Sequence, residues 1–190
     1  MRHRTVQASK SQRSALLIID MINRFDFPGG ERLGRSAEHI TPAIVSLRRS
    51  HGRRGWPVVY CNDNFGRWRS DFRMVVKACT ESGSGSHIAE SLHPEAGDYF
   101  ILKPKHSAFY CTALDLLLRS LRIRRLVLCG VAGDGCVQAT AIDAHMRDYE
   151  VCVASDATAS LTPARNRKCL DTLAATGTAR ILLTATLVRK

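Results

Sequence analysis

Gly130-Val131-Ala132-Gly133-Asp134-Gly135-Cys136-Val137 follows the apolar run Leu126 to Leu128 and precedes a stretch where Val137, Ala141 and Ala144 recur at helical spacing. Strand, glycine-rich turn, thiol and helix, in that order, is an arrangement that lifts a nucleophile out of a sheet. The free N–H groups at a helix start favour thiolate over thiol. An ordinary cysteine, titrating near ~8.5, needs such help at neutral pH. A buried structural cysteine reads the same way in one sequence, so the meaning of Cys136 depends on what the rest of the chain brings beside it.

Five other apolar runs share the character of 126–128. Ala15-Leu16-Leu17-Ile18-Ile19 breaks off at Asp20, and Pro57-Val58-Val59-Tyr60-Cys61 delivers Asn62-Asp63-Asn64. Tyr99-Phe100-Ile101-Leu102 ends at Lys103, while Val151-Cys152-Val153-Ala154 and Ile181-Leu182-Leu183 come later. Runs that are continuous rather than alternating predict strands buried on both faces. Helical signals fall between them. Ile40, Ile44 and Leu47 mark one helix, with Thr41-Pro42 as cap and first position and Gly55 as its stop. A short helix is predicted near 72–78, followed by a Ser/Gly loop at 82–86. Thr112-Ala113-Leu114-Asp115 resembles a capping box before the stripe Leu114, Leu117, Leu118, Leu121, and Thr162-Pro163 opens a helix that Gly177 closes. Strands alternating with helices predict an α/β fold, three-layer α/β/α, with right-handed crossovers and a mainly parallel sheet. No repeat or linker interrupts the pattern. Residues 1–13 therefore read as a flexible basic leader and 14–190 as a single domain.

Apolar content of 45% and charged content of 24% are those of a globular chain. No apolar run approaches the ~18–20 residues that span a bilayer, and the N-terminus lacks the apolar core of a secretory signal. The expectation is a cytoplasmic protein without a membrane partner. Its 28 basic against 17 acidic residues give a formal charge of +11, which raises the question of nucleic acid. The placement of the charges argues otherwise: Arg48, Arg49, Arg53 and Arg54 close one predicted helix, and Arg119, Arg122, Arg124 and Arg125 another. Cations there offset the helix macrodipole. No nucleic-acid module is present, and the partner expected is a small molecule. The seven cysteines contain no C-x-x-C pair, so neither a zinc site nor a dithiol couple is indicated, and reduced thiols fit a reducing compartment. No cofactor is expected.

Asp20, Lys103 and Cys136 are distant in sequence, yet each follows the carboxyl end of a predicted strand. Ligands of open α/β sheets bind at that edge, near the point where strand order reverses, so the three can share one crevice. These residues, with Ile18-Ile19-Asp20-Met21-Ile22-Asn23, Val58-Val59-Tyr60-Cys61-Asn62-Asp63, Lys103-Pro104-Lys105-His106-Ser107-Ala108-Phe109 and Gly130 to Val137, resemble the isochorismatase-like cysteine hydrolase superfamily. That group includes nicotinamidases, carbamoylsarcosine amidases, ureidoacrylate amidases and biuret hydrolases. The resemblance spans about residues 14–184. It implies a six-stranded parallel sheet of order 3-2-1-4-5-6 and an Asp–Lys–Cys triad, whose roles fall on Asp20, Lys103 and Cys136. Asp20 would take the thiol proton and pass it to the leaving amine, Lys103 would lower the thiolate's pKa, and Cys136 would form a thioester that water hydrolyses. The resemblance also implies a cis peptide at Val131–Ala132, which turns the N–H groups of Ala132 and Cys136 toward the oxyanion. It further implies a homo-oligomer, dimer or tetramer.

Departures from that pattern matter. Many relatives carry Thr where this chain has Gly133, which puts the pocket's shape in question. Nicotinamidases carry a metal-binding Asp-x-His, whereas Asp63-Asn64-Phe65 stands here; Phe65 cannot ligate, so no metal of that type and no nicotinamide specificity are expected. Asp63 then reads as a hydrogen-bonding loop residue. Cys111 stands where relatives often have Gly. Phe25, Phe65, Trp68 and Phe109 lie in loops near the strand ends and are candidates for pocket walls, and His106 is a candidate contact for an anionic substrate. Relatives that hydrolyse the vinyl ether of isochorismate generally lack the cysteine, so Cys136 favours C–N cleavage. The alternatives are vinyl-ether hydrolysis with Asp20 as acid, and a catalytically idle oligomeric binding protein.

Overall fold

Alternate residues of the first strand enter different cores. Leu16 and Ile18 pack into one apolar layer, while Ala15, Leu17 and Ile19 pack into the other. A run buried on both faces must be apolar throughout, which is why these strands do not alternate in polarity. A computed structural model describes residues 13–66, 71–81 and 83–189. Its strands are β1 (Ser14–Ile19), β2 (Val58–Asp63), β3 (Tyr99–Lys103), β4 (Arg125–Gly130), β5 (Glu150–Thr158) and β6 (Arg180–Leu182). They form one parallel sheet in the order β3-β2-β1-β4-β5-β6. Order reverses on either side of β1, where Leu17 pairs with Val59 of β2 and with Leu128 of β4.

Helices α1 (Gly30–Arg53), α2 (Phe72–Glu81), α3 (Ser86–Ser91) and α7 (Thr184–Arg189) contribute to the layer holding Leu16, Ile18, Val58 and Tyr60. Helices α4 (Leu114–Ser120), α5 (Gln138–His145) and α6 (Pro163–Ala175) cover the opposite layer with Leu118, Ala141 and Leu173. Among the described residues no helix is long and apolar enough to cross a membrane. The leader lies outside the described residues except for Arg13, whose guanidinium donates to the Gly55 carbonyl.

Two local expectations fail for identifiable reasons. Thr41-Pro42 does not open a helix: α1 begins at Gly30, after Gly29 in the left-handed conformation, and Pro42 sits inside it. Proline removes one intrahelical bond, but the stripe Leu33, Ala37, Ile40, Ile44 and Leu47 is buried continuously across the break, and that burial outweighs the lost bond. The Thr41 hydroxyl donates to the Ala37 carbonyl, a tie available without any N–H from Pro42. Thr112 and Asp115 do not make a capping box either. Ala113 is the cap residue of α4, Thr112 accepts from the Leu114 N–H, and the Asp115 carboxylate is taken by Arg119 at 3.0 Å and the Tyr149 hydroxyl at 2.9 Å. By contrast, Thr162 caps α6 as its sequence suggests, accepting from the Arg165 N–H with Pro163 at the first helical position.

Candidate active site

At the carboxyl edge of the sheet the three strand-end residues meet. Asp20 follows β1 in the left-handed conformation (φ 52°), which aspartate tolerates better than most residues, and its N–H is tied to the Cys61 carbonyl at 3.0 Å. The carboxylate accepts the Asp63 N–H on Oδ1 at 2.8 Å and faces Lys103 Nζ through Oδ2 at 2.9 Å. Lys103 closes β3 and is fully buried. Its ammonium has three donors and three acceptors: Asp20, the Lys105 carbonyl at 3.2 Å and Cys136 Sγ at 3.4 Å. The Asp20 carboxylate also lies near enough to the thiol to act on its titration.

Glycine is what lets the nucleophile's loop cross here. A Cβ on Gly130 (φ 112°) would stand 2.1 Å from the Ile19 carbonyl oxygen, so only glycine permits β4 to leave the sheet over the end of β1. The Val131–Ala132 peptide is cis, and a π-helical turn, Gly133–Val137, carries Cys136 into α5. The N–H groups of Gly133, Asp134, Gly135 and Val137 are committed to Ala159, Ser160 and Ala132. Among the described residues no acceptor takes the N–H of Ala132.

Electrostatics set the resting protonation. Burial, followed by the nearby Asp20 carboxylate, pushes the Cys136 thiol up to about 12, and the pull of Lys103 does not reverse this. Lys103 thus acts on the thiol in the direction the resemblance implies, while burial and the Asp20 charge act against it by more. The carboxylate that holds Lys103 in place also repels a second negative charge beside it. Burial raises Asp20 above the ordinary carboxylate range against the opposing attraction of Lys103, so its affinity for a proton is increased next to a proton donor. Burial alone would lower Lys103, but the charge and hydrogen bond of Asp20 oppose it and hold Lys103 above its ordinary value.

The other sequence candidates divide. His106 reaches the nucleophile, with Nδ1 3.6 Å from Sγ. Phe65 is exposed, and its N–H donates to the Oδ1 of Asp63, which hydrogen-bonds as expected but closes β2 rather than lying in a loop. Phe25 and Phe109 are buried in opposite cores. Phe25 lies under Gly34, and Phe109 packs between Tyr149 and the Arg147 guanidinium. Trp68 lies outside the described residues. Cys111 is exposed with φ 51°, the backbone region glycine prefers, which gives a physical sense to a glycine at that position.

The space a side chain at Gly133 would take is filled. A Cβ there would sit 2.2 Å from Asn166 Oδ1 and 3.0 Å from Ser160 Oγ. Asn166 is itself fixed, donating to the Thr158 carbonyl at 2.9 Å and accepting from the Ser160 hydroxyl at 3.2 Å, while Ser160 accepts the Asp134 N–H. The Cys169 thiol donates to the Gly133 carbonyl and Arg165 pairs with Asp134. Thus β5 and α6 clamp the turn that presents the thiol. Sequence reasoning missed Asn166 and Ser160, because a lone amide and hydroxyl in a loop and a helix carry no periodic or spacing signal.

A family model described as the Isochorismatase domain matches residues 14–186. The uncharacterized isochorismatase family protein YaaI of Bacillus subtilis (strain 168) is 44% identical over 146 residues, 77% of this chain and 80% of that protein. Among solved structures, an isochorismatase family protein from Desulfovibrio vulgaris superposes with a TM-score of 0.75 at 27% identity, covering 93% of this chain and 96% of that one. The N-carbamoylsarcosine amidase of Thermoplasma acidophilum gives 0.69 at 29% identity, with coverages of 91% and 97%.

Proposed function

The chain belongs to the isochorismatase family of hydrolases, and from that premise we propose that it cleaves the C–N bond of a small amide, carbamoyl or ureido compound through a thioester on Cys136. One observation carries the reading: a single buried ammonium, that of Lys103, touches both the carboxylate of Asp20 and the sulfur of Cys136.

In this reading the sulfur attacks the carbonyl carbon as its proton passes to Asp20. The transfer removes the carboxylate's negative charge at the moment the sulfur's would develop, so the repulsion that keeps the resting thiol protonated vanishes during attack. Lys103 then faces one anion rather than two. The oxyanion is met by the N–H groups of Ala132 and Cys136; loss of one such donor typically costs about 10²–10³ in rate. Asp20 hands its proton to the departing amine, and the thioester carbon is left for water. Phe65 and His106 are the candidate substrate contacts, and the reading needs no nicotinamidase-type metal, since Phe65 offers no ligand where those enzymes carry histidine. The N-carbamoylsarcosine amidase likeness supports a carbamoyl or amide substrate over a vinyl ether.

The test is a panel of small amides, carbamoyl compounds and ureides, with isochorismate alongside, followed by intact-mass measurement of the quenched protein. We expect an acyl adduct on Cys136 and its loss, with turnover, in Cys136→Ala. Hydrolysis that survives in Cys136→Ala would reject the covalent route.

A further inference from the structure

Once Cys136 carries an acyl group, a water must attack it, and Asp20 is poorly placed to activate that water. Its side chain is buried, and its carboxylate is already held by the Asp63 N–H and by Lys103. Lys103 is fully buried, cationic, and has all three donors in use. On the open side of the sulfur stands a different group. His106 is exposed, lies three residues past Lys103 in the loop after β3, and directs Nδ1 to within 3.6 Å of Sγ. Among the described residues it is the one titratable side chain touching the nucleophile from the solvent side. A water approaching a carbon bonded to that sulfur passes within reach of the same nitrogen.

Resting on the thioester reading above, we propose that His106 is the general base of the second half-reaction, deacylation, while Asp20 serves the first. The step balances as follows. His106 Nδ1 takes a proton from water as its oxygen bonds to the thioester carbon. The tetrahedral intermediate collapses with cleavage of the C–S bond, the electron pair leaving on sulfur beside the Lys103 ammonium. The imidazolium returns its proton across the 3.6 Å contact to the sulfur, restoring the resting thiol and the neutral imidazole. The acid product leaves with the water's oxygen. Dividing the two proton transfers between a buried carboxylate and an exposed imidazole follows from access: the first proton starts on a sulfur that shares the Lys103 ammonium with Asp20, the second on a water arriving from solvent.

Because this division predicts which half-reaction fails, an activated ester separates the two. The probe is p-nitrophenyl acetate with the full-length chain, whose leaving group needs no proton. The parent should release p-nitrophenolate continuously. His106→Gln should release about one equivalent in a burst and then slow by about 10²-fold or more against the parental steady state, with an acetyl group persisting on Cys136 by mass. In His106→Ala, added imidazole should restore the slow phase without altering the burst, which a residue that merely shapes the loop would not allow. Parental steady-state rates in His106→Gln, equal slowing of burst and steady state, or no rescue by imidazole would overturn the role of His106 while leaving the thioester intact. Release of p-nitrophenolate with no acetyl group on Cys136 in either the parent or His106→Gln would remove the thioester, and His106's role with it.

Discussion

Asp20 does two opposing things to the same sulfur. As a negative charge it raises the Cys136 thiol, second only to burial, and as a proton acceptor it shares the Lys103 ammonium with that sulfur. Asp20→Asn separates the effects. With the carboxylate gone and the Lys103 ammonium left, Cys136 should titrate below about 12. Its alkylation by iodoacetamide at neutral pH should then accelerate by roughly tenfold or more, because a thiol pKa lower by about one leaves tenfold more thiolate at a given pH. Hydrolysis of any substrate found should fall by about 10² or more. Mass spectrometry of the labelled cysteine against pH reads the first effect. Slower or unchanged alkylation would mean that the carboxylate activates the thiol at rest, contrary to the electrostatics. The other thiols provide internal controls, since burial raises Cys61 and Cys129 beyond reach and Cys169 to about 11.

At the level of elements, the turn Gly133–Val137 is shaped by β5 and α6 as much as by its own glycines. A methyl at Gly133 must displace Asn166 Oδ1 from 2.2 Å, and Asn166 can move only by giving up its bonds to Thr158 and Ser160. We expect Gly133→Ala to cost about 2 kcal/mol, the scale of leaving buried polar groups unpaired. Asn166→Ala should cost a similar amount, because it breaks the same bonds. The double variant should be less unstable than the sum by about 1–2 kcal/mol, the coupling typical of groups in one network. Urea denaturation of the four proteins closes the cycle, and strict additivity would show that the amide does not occupy the space a side chain needs. Legibility at this scale was uneven. Pro163 and Thr162 start α6 as read, because a cap is a local bargain between neighbours. Pro42 misled because the burial that carries α1 through it comes from residues a turn or more away on both sides.

Across the whole molecule, two apolar layers on one sheet bury the amino-edge histidine at the end of α1. His51 is 1% exposed, donates Nδ1–H to the Leu47 carbonyl at 3.0 Å, and meets Trp56 edge-on. Burial, aided by the charge of Arg54 and opposed by the Leu47 bond, lowers it to about 4. The folded state thus refuses a proton that the unfolded chain accepts near ~6.5. Its contribution to stability is complete above that pH and is lost as pH falls toward and through about 4, reaching about 3 kcal/mol. Urea midpoints should drop across that window in the parent, and His51→Leu should flatten the slope whatever its effect at neutral pH. Equal slopes would remove His51 as the cause. The basic clusters at this edge also find partners, Arg48 in Glu95 and Asp98 and Arg54 in the last carbonyls of α7, in line with the reading of these charges as structural. From the sequence alone came the alternation of strands and helices, the edge at which Asp20, Lys103 and Cys136 end their strands, and the family, because apolar continuity, turn residues and motif order are properties of neighbours along the chain. Tertiary structure alone decided that burial and Asp20 push the thiol up, that Asn166 fills the space beside Gly133, and that His106 meets the sulfur. Each of those depends on distances and solvent access between segments that the chain brings together only when both faces of the sheet are covered.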